Sequence, residues 1–125
     1  VADRTGTLDL FIDRGNRGQS SIAMKTGERV SVPCRTLDGL LAEAGFDRVD
    51  ALKIDIEGAE DTVLVPFFST APERRWPALI LLEMSSDRWK TDCVKLCIDH
   101  GYRISQRTRL NVILRRTPDG ASAAA

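Results

Sequence analysis

The spacing of apolar residues changes period partway along this chain. Residues 7–13 (Thr-Leu-Asp-Leu-Phe-Ile-Asp) and 29–34 (Arg-Val-Ser-Val-Pro-Cys) alternate apolar with polar, the period of a strand with two unlike faces. Pro33 confines the second of these to a sheet edge or a strand end. The glycines and Asn16 of Arg14–Gly18 predict a turn between them. Thr36 is placed to cap a short helix over Leu37–Ala44, with Leu37, Leu40, Leu41 and Ala44 on one face and Gly45 as its stop. A strand over Asp50–Glu57 follows, then a helix over Ala59–Phe68 bent or ended by Pro66. Pro77–Met84 is almost continuously apolar, as expected of a strand covered on both faces. Trp89, Cys93, Leu96 and Cys97 then fall at helical spacing, which predicts a helix over Asp87–His100, capped by Ser86 or Asp87 and ended by Gly101. Two strands, Tyr102–Gln106 and Leu110–Arg115, lie so close together that they must run antiparallel.

Strand, helix, strand, helix, strand requires parallel pairs joined by right-handed crossovers. The expected architecture is therefore α/β: part of an open sheet with crossover helices and a C-terminal antiparallel hairpin, preceded by an N-terminal β-hairpin region. One domain spans residues 1–116, and the small, polar residues 117–125 read as a disordered tail.

Composition narrows the function classes. Eighteen basic residues balance eighteen acidic ones, so no net field draws the chain to nucleic acid or anionic lipid. No apolar run approaches the ~20 residues that span a bilayer, and no secretory signal precedes the first strand. Three cysteines, Cys34, Cys93 and Cys97, are too few and odd in number for a disulfide framework, which points to a reducing cytoplasm. The start without Met, directly before a strand, is expected of an excerpt from something longer.

The chemistry concentrates in residues 51–60. In strand geometry Leu52, Ile54 and Ile56 face one way, while Lys53, Asp55 and Glu57 face the other. Such a stripe is either a solvent-facing strand whose Lys53 and Asp55 neutralise each other or a working edge, because open α/β sheets bind ligands beyond the carboxyl ends of their strands. Glu83 closes the next strand, so Asp55, Glu57 and Glu83 are expected to converge on one cleft. A cluster of this kind suits a proton acceptor, a hydroxyl-orienting group or a divalent-metal site. Glu60 and Asp61 also fit the positive end of the following helix dipole. Cys93, Cys97 and His100 share a helical face, but with no second ligand cluster they read as core rather than zinc site. Gly15–Gly18 reads as a plain turn, not a phosphate loop, and the chain carries no glycine-rich dinucleotide fingerprint or nucleophile elbow. The single histidine, His100, reads as capping or packed.

Val49–Glu60 (Val-Asp-Ala-Leu-Lys-Ile-Asp-Ile-Glu-Gly-Ala-Glu), with Val63 and Leu64 after it, resembles the diagnostic segment of the FkbM-type methyltransferases. Its flanks agree in order. Asp3–Leu10 resembles the family's segment after its third strand, and Val32–Asp38 the stretch into the short helix. Pro77–Glu83 is similar to the fifth strand, Gly101–Tyr102 to the start of the sixth, and Asn111–Leu114 to the last. The resemblance spans about residues 2–116. It implies a class I, Rossmann-like fold and, in the complete domain of the full-length parent, methyl transfer from S-adenosylmethionine, typically to oxygen of a small molecule or glycan. By residue match Asp55 faces the sulfonium and the acceptor, as a catalytic and cofactor-binding residue. Glu57 and Glu83 join it as catalytic residues, Glu57 and Glu60 line or support the acceptor side, and Asp3 meets the adenine. The family's glycine-rich first strand and ribose-binding second strand have no counterpart here. The resemblance therefore also implies an exposed edge on the Asp50–Glu57 strand, open to a strand-exchange dimer. Two further readings remain at this point: a divalent-metal hydrolase using Asp55, Glu57 and Glu83, and a non-catalytic truncated fragment.

Overall fold

The computed structural model describes residues 1–12 and 28–117. The expected turn at Arg14–Gly18 and the tail from residue 118 lie outside the described residues.

Strands β1 (Gly6–Ile12) and β2 (Glu28–Cys34) form a two-stranded antiparallel ribbon, with Gly6 opposite Cys34 and Ile12 opposite Glu28. Pro33 sits within β2, tolerated because a two-stranded ribbon is all edge. Helix α1 (Leu37–Glu43) follows, its first turn capped by Thr36, whose side chain accepts from Gly39 N at 3.1 Å. Gly45 takes the left-handed conformation, φ 75°, that ends the helix.

A mixed four-stranded sheet is built from β3 (Ala51–Ile54), β4 (Leu79–Glu83), β5 (Tyr102–Arg107) and β6 (Asn111–Arg116), in the order β3-β4-β6-β5. β3 and β4 are parallel, joined through α2 (Glu60–Thr70) and a single 3-10 turn at Glu73–Arg75. β5 and β6 form the expected antiparallel hairpin, and β6 folds back between β5 and β4. These elements are those of an α/β fold with a mixed sheet and three helices.

The core lies on one face of that sheet. Ile54, Ile80, Leu82, Tyr102, Val112 and Leu114 meet Val63, Leu64, Phe67 and Phe68 of α2 and Cys93, Val94 and Cys97 of α3 (Cys93–Asp99). Pro66 does not end α2, which continues to Thr70 because Phe67 and Phe68 beyond it are buried. β4 corrects a second expectation. Its burial alternates, with Ile80 and Leu82 inaccessible and Leu79, Leu81 and Glu83 half-buried, since the described helices cover one face only.

α3 is shorter than its apolar spacing suggests. It begins at Cys93, capped by Asp92, which accepts from Val94 N and Lys95 N, and not at Ser86 or Asp87. The backbone N–H groups of Lys90 and Thr91 instead donate to Asp61 of α2. Residues 85–92 thus form a strap across the start of α2, and a tertiary carboxylate outcompetes the local helix. His100 is the C-cap of α3, with Nδ1 at 2.8 Å from Leu96 O and its ring stacked 4.5 Å from Phe68.

Candidate functional site

The strand expected over Asp50–Glu57 is shorter: β3 ends at Ile54, and Asp55–Glu57 belong to the turn that follows, although exposure still alternates through Glu57. Ile54 is buried and Leu52 and Ile56 half-buried on the core side, while Lys53, Asp55 and Glu57 are exposed. Because β3 and β4 are parallel neighbours, their carboxyl ends share one lip of the sheet. Carboxylate oxygens of Asp55, Glu57 and Glu83 consequently lie within 4.8 Å of one another. Among the described residues this is also the group whose geometry would accept a divalent cation. Asp55 has a dual setting, since Lys53 Nζ lies 3.9 Å from its Oδ2, a long, exposed ion pair of little energetic weight.

Crowding of like charge perturbs this group. The Glu83 carboxyl is raised above its ordinary value of 4.5, first by a hydrogen bond shared with Asp55 and by Asp55's charge. Partial burial and the charges of Glu57 and Glu60 add to the effect. Glu83 therefore holds its proton to higher pH than a solvated carboxyl does.

The turn after β3 has an unusual backbone. Glu57 (φ 59°) and Gly58 (φ 95°) are consecutive left-handed residues, and Glu57 is the one non-glycine residue with positive φ among those described. Gly58 is required twice over. A Cβ there would stand 2.5 Å from Arg88 Cδ and 2.7 Å from Arg88 Cβ, and the φ itself disfavours any L side chain. Arg88 lies over the turn, with Nη1 donating to Glu57 O at 3.2 Å and 3.7 Å from Glu57 Oε2.

Glu60 and Asp61, at the start of α2, are almost wholly inaccessible. Glu60 Oε1 accepts from Ile56 N at 2.9 Å and Gly58 N at 3.3 Å, and its Oε2 accepts from Trp89 Nε1 at 2.8 Å. Asp61 Oδ2 accepts from Lys90 N at 2.7 Å and Thr91 N at 3.1 Å. Of the residues singled out from the sequence, Asp55, Glu57 and Glu83 thus come together in the open. Glu60 lies beneath them, its oxygens facing the protein's own donors. Asp3 is exposed, paired with neighbouring Arg4 at 3.2 Å, and is not a member of the carboxylate group.

A cavity of about 410 Å³ borders Asp55, walled by Leu37, Leu52, Ile54, Ile56 and Val63, with Val1 and the charged Lys53 also lining it. Asp55 therefore stands between a largely apolar cavity and the acidic group. Arg88, Trp89 and Asp61 had no place in the sequence reading as partners of the site. The Gly after Glu57 was the available signal that backbone and side chain approach closely there.

Cys93 and Cys97 belong to the core. Burial raises both thiols, Cys97 to about 12, which makes them inert packing groups at neutral pH.

The family model for the methyltransferase FkbM domain matches residues 2–104. No curated protein and no solved structure matches the chain.

Proposed function

The chain belongs to the FkbM methyltransferase family, and on that premise we propose that its carboxylate lip serves transfer of a methyl group from S-adenosylmethionine to a hydroxyl oxygen of a small molecule or glycan. The observation that carries this reading is the convergence of Asp55, Glu57 and Glu83 within 4.8 Å, beside a cavity with apolar walls. When bound, S-adenosylmethionine supplies a methyl group activated by a positively charged sulfonium. The acidic group of Asp55, Glu57 and Glu83 outnumbers the cations beside it, Lys53 and Arg88, and so complements that charge, while Leu52, Ile54, Ile56 and Val63 offer apolar contact next to it.

Each carboxyl has a distinct task in this reading. Methyl transfer is an in-line displacement at carbon, for which the protein mainly supplies alignment and exclusion of water. Asp55, at the meeting point of cavity and cluster, would orient the acceptor hydroxyl and accept its proton as the O–C bond forms and the sulfonium's S–C bond breaks, releasing S-adenosylhomocysteine. Glu83 supports Asp55 through the hydrogen bond their carboxyls share. Glu57 binds the acceptor's remaining hydroxyls, and Asp3 is assigned to the adenine on family resemblance.

Transfer of labelled methyl to a panel of hydroxyl acceptors tests this. Asp55→Asn, which keeps shape and removes the proton acceptor, is expected to lower the rate by about tenfold or more with an unchanged circular dichroism spectrum. A turnover equal to that of the unsubstituted protein would remove Asp55 from the chemistry.

A further inference from the structure

We infer that Glu60 is a positioning residue: its buried carboxylate fixes the left-handed turn at Glu57–Gly58, and through Trp89 it ties that turn to the strap at residues 85–92. This rests on the reading of Asp55, Glu57 and Glu83 as the site, but not on the identity of the reaction.

The geometry leaves Glu60 no room for a solvent ligand. It is fully buried, and both oxygens are engaged by donors of the protein. Burying a carboxylate costs several kcal/mol unless it is hydrogen-bonded or paired. No cation pairs with Glu60 among the described residues, so three N–H groups and the positive end of α2 carry the compensation. Two of those donors, Ile56 N and Gly58 N, flank Glu57 on either side. Converging backbone N–H groups of this kind form a nest for an anion. Here the anion is the protein's own side chain, and the residue held between the two donors is the one that carries a site carboxylate. Without the carboxylate, both part-buried amides would lose their acceptor, and φ 59° at Glu57 would be left to the contacts of Arg88 and the Ala59–Ile56 turn bond.

Asp61 is a built-in comparison. It secures the same strap through Lys90 N and Thr91 N, but both bonds go to one oxygen, Oδ2. An asparagine can present its carbonyl oxygen to both amides, so Asp61→Asn keeps the bonds. Glu60 uses one oxygen for the amides and the other for the indole. Glu60→Gln must therefore turn its NH₂ group toward one set of donors and lose that set. The two conservative changes, equal in charge removed, are expected to differ in outcome.

The test is amide hydrogen exchange and amide proton shifts at Ile56 and Gly58, with the Trp89 indole signal, in the unsubstituted protein and both variants. Glu60→Gln should either speed exchange at Ile56 and Gly58 by about tenfold or more or displace the Trp89 indole signal, according to which set of donors meets its NH₂ group, while the rest of the sheet keeps its shifts. Asp61→Asn should leave Ile56, Gly58 and Trp89 where they are. Equal responses of the two variants, or Ile56, Gly58 and Trp89 all unmoved in Glu60→Gln, would overturn the inference. Should Glu60→Gln not fold, Trp89→Phe removes a single donor from Oε2. Faster exchange at Gly58 in that variant supports the coupling of strap to turn, and unchanged exchange refutes it. Where transfer is measurable, Glu60→Gln should raise the acceptor KM more than it lowers kcat, because the loosened turn carries Glu57. The exchange result with no methyl transfer under any condition would count against the proposed reaction and leave the positioning role in place.

Discussion

Glu83 binds its proton more tightly in the folded chain than in an unfolded one, because Asp55 shares a hydrogen bond with it and adds a like charge. The sign of the pH effect follows. A carboxyl whose folded pKa is raised contributes stability that is present below its unfolded value and is lost as pH rises from 4.5 through the folded value. Glu83→Gln abolishes this titration, so the stability difference between variant and parent should grow in the variant's favour as pH rises through that window. Melting curves across the window check this, and a pH-independent difference would count against the perturbed Glu83. Gly58 yields a second expectation at this scale. Gly58→Ala should destabilise the fold by about 1–3 kcal/mol, since φ 95° and contact with Arg88 both oppose a Cβ. Adding Arg88→Ala should recover only a small part of the loss, because it removes the Cδ contact but leaves the Cβ of residue 88 at 2.7 Å and the backbone penalty in place. Denaturant titration of the single and double variants reads this directly, and a neutral Gly58→Ala would contradict it. Asp55 and Glu83 were legible in the sequence, because both stand at the carboxyl ends of parallel neighbours, whereas Glu57 reaches them through the left-handed turn after β3, which alternation does not foretell. The work of Glu60 was not. A carboxylate at a helix start reads equally well as a dipole partner, and nothing in its spacing reveals that Trp89 reaches back to it.

Element boundaries show where local pattern wins and where tertiary structure overrides it. α1 formed as its cap and glycine stop dictate, since Thr36 and Gly45 act on their own neighbours. α3 began six residues later than the apolar stripe implies, because Asp61 takes the amides that a longer helix would have used. The hairpin β5–β6 was legible from its short connection, whereas the insertion of β6 between β4 and β5 depends on pairing that no local signal encodes. β3 is the element with the clearest consequence. Among the described residues it pairs with β4 on one side only, so its other edge presents unpaired backbone groups, guarded by the charge of Lys53. We expect the 125-residue chain to associate through this edge, with an average mass in sedimentation equilibrium that rises with concentration. A monomer mass at every concentration would show the edge to be sufficiently protected by Lys53.

The whole molecule is polarised by its topology. One face of the sheet carries α2, α3 and the apolar core, and one lip collects the carboxyl ends of β3 and β4. Helix crossover and parallel pairing, not any single motif, therefore determine where the acidic group sits. The strap at 85–92 is then tied from below by two buried carboxylates, Asp61 holding it to α2 and Glu60 joining it to the turn at 55–58. The central claim is that this lip receives a cationic methyl donor. Carboxyl carbon NMR of Glu83, titrated with pH in the presence and absence of S-adenosylmethionine, tests it most directly. The account predicts a midpoint above 4.5 in the free protein that falls when the sulfonium is added and does not fall comparably with uncharged-sulfur S-adenosylhomocysteine. An ordinary midpoint in the free protein, or one indifferent to the donor, would contradict it.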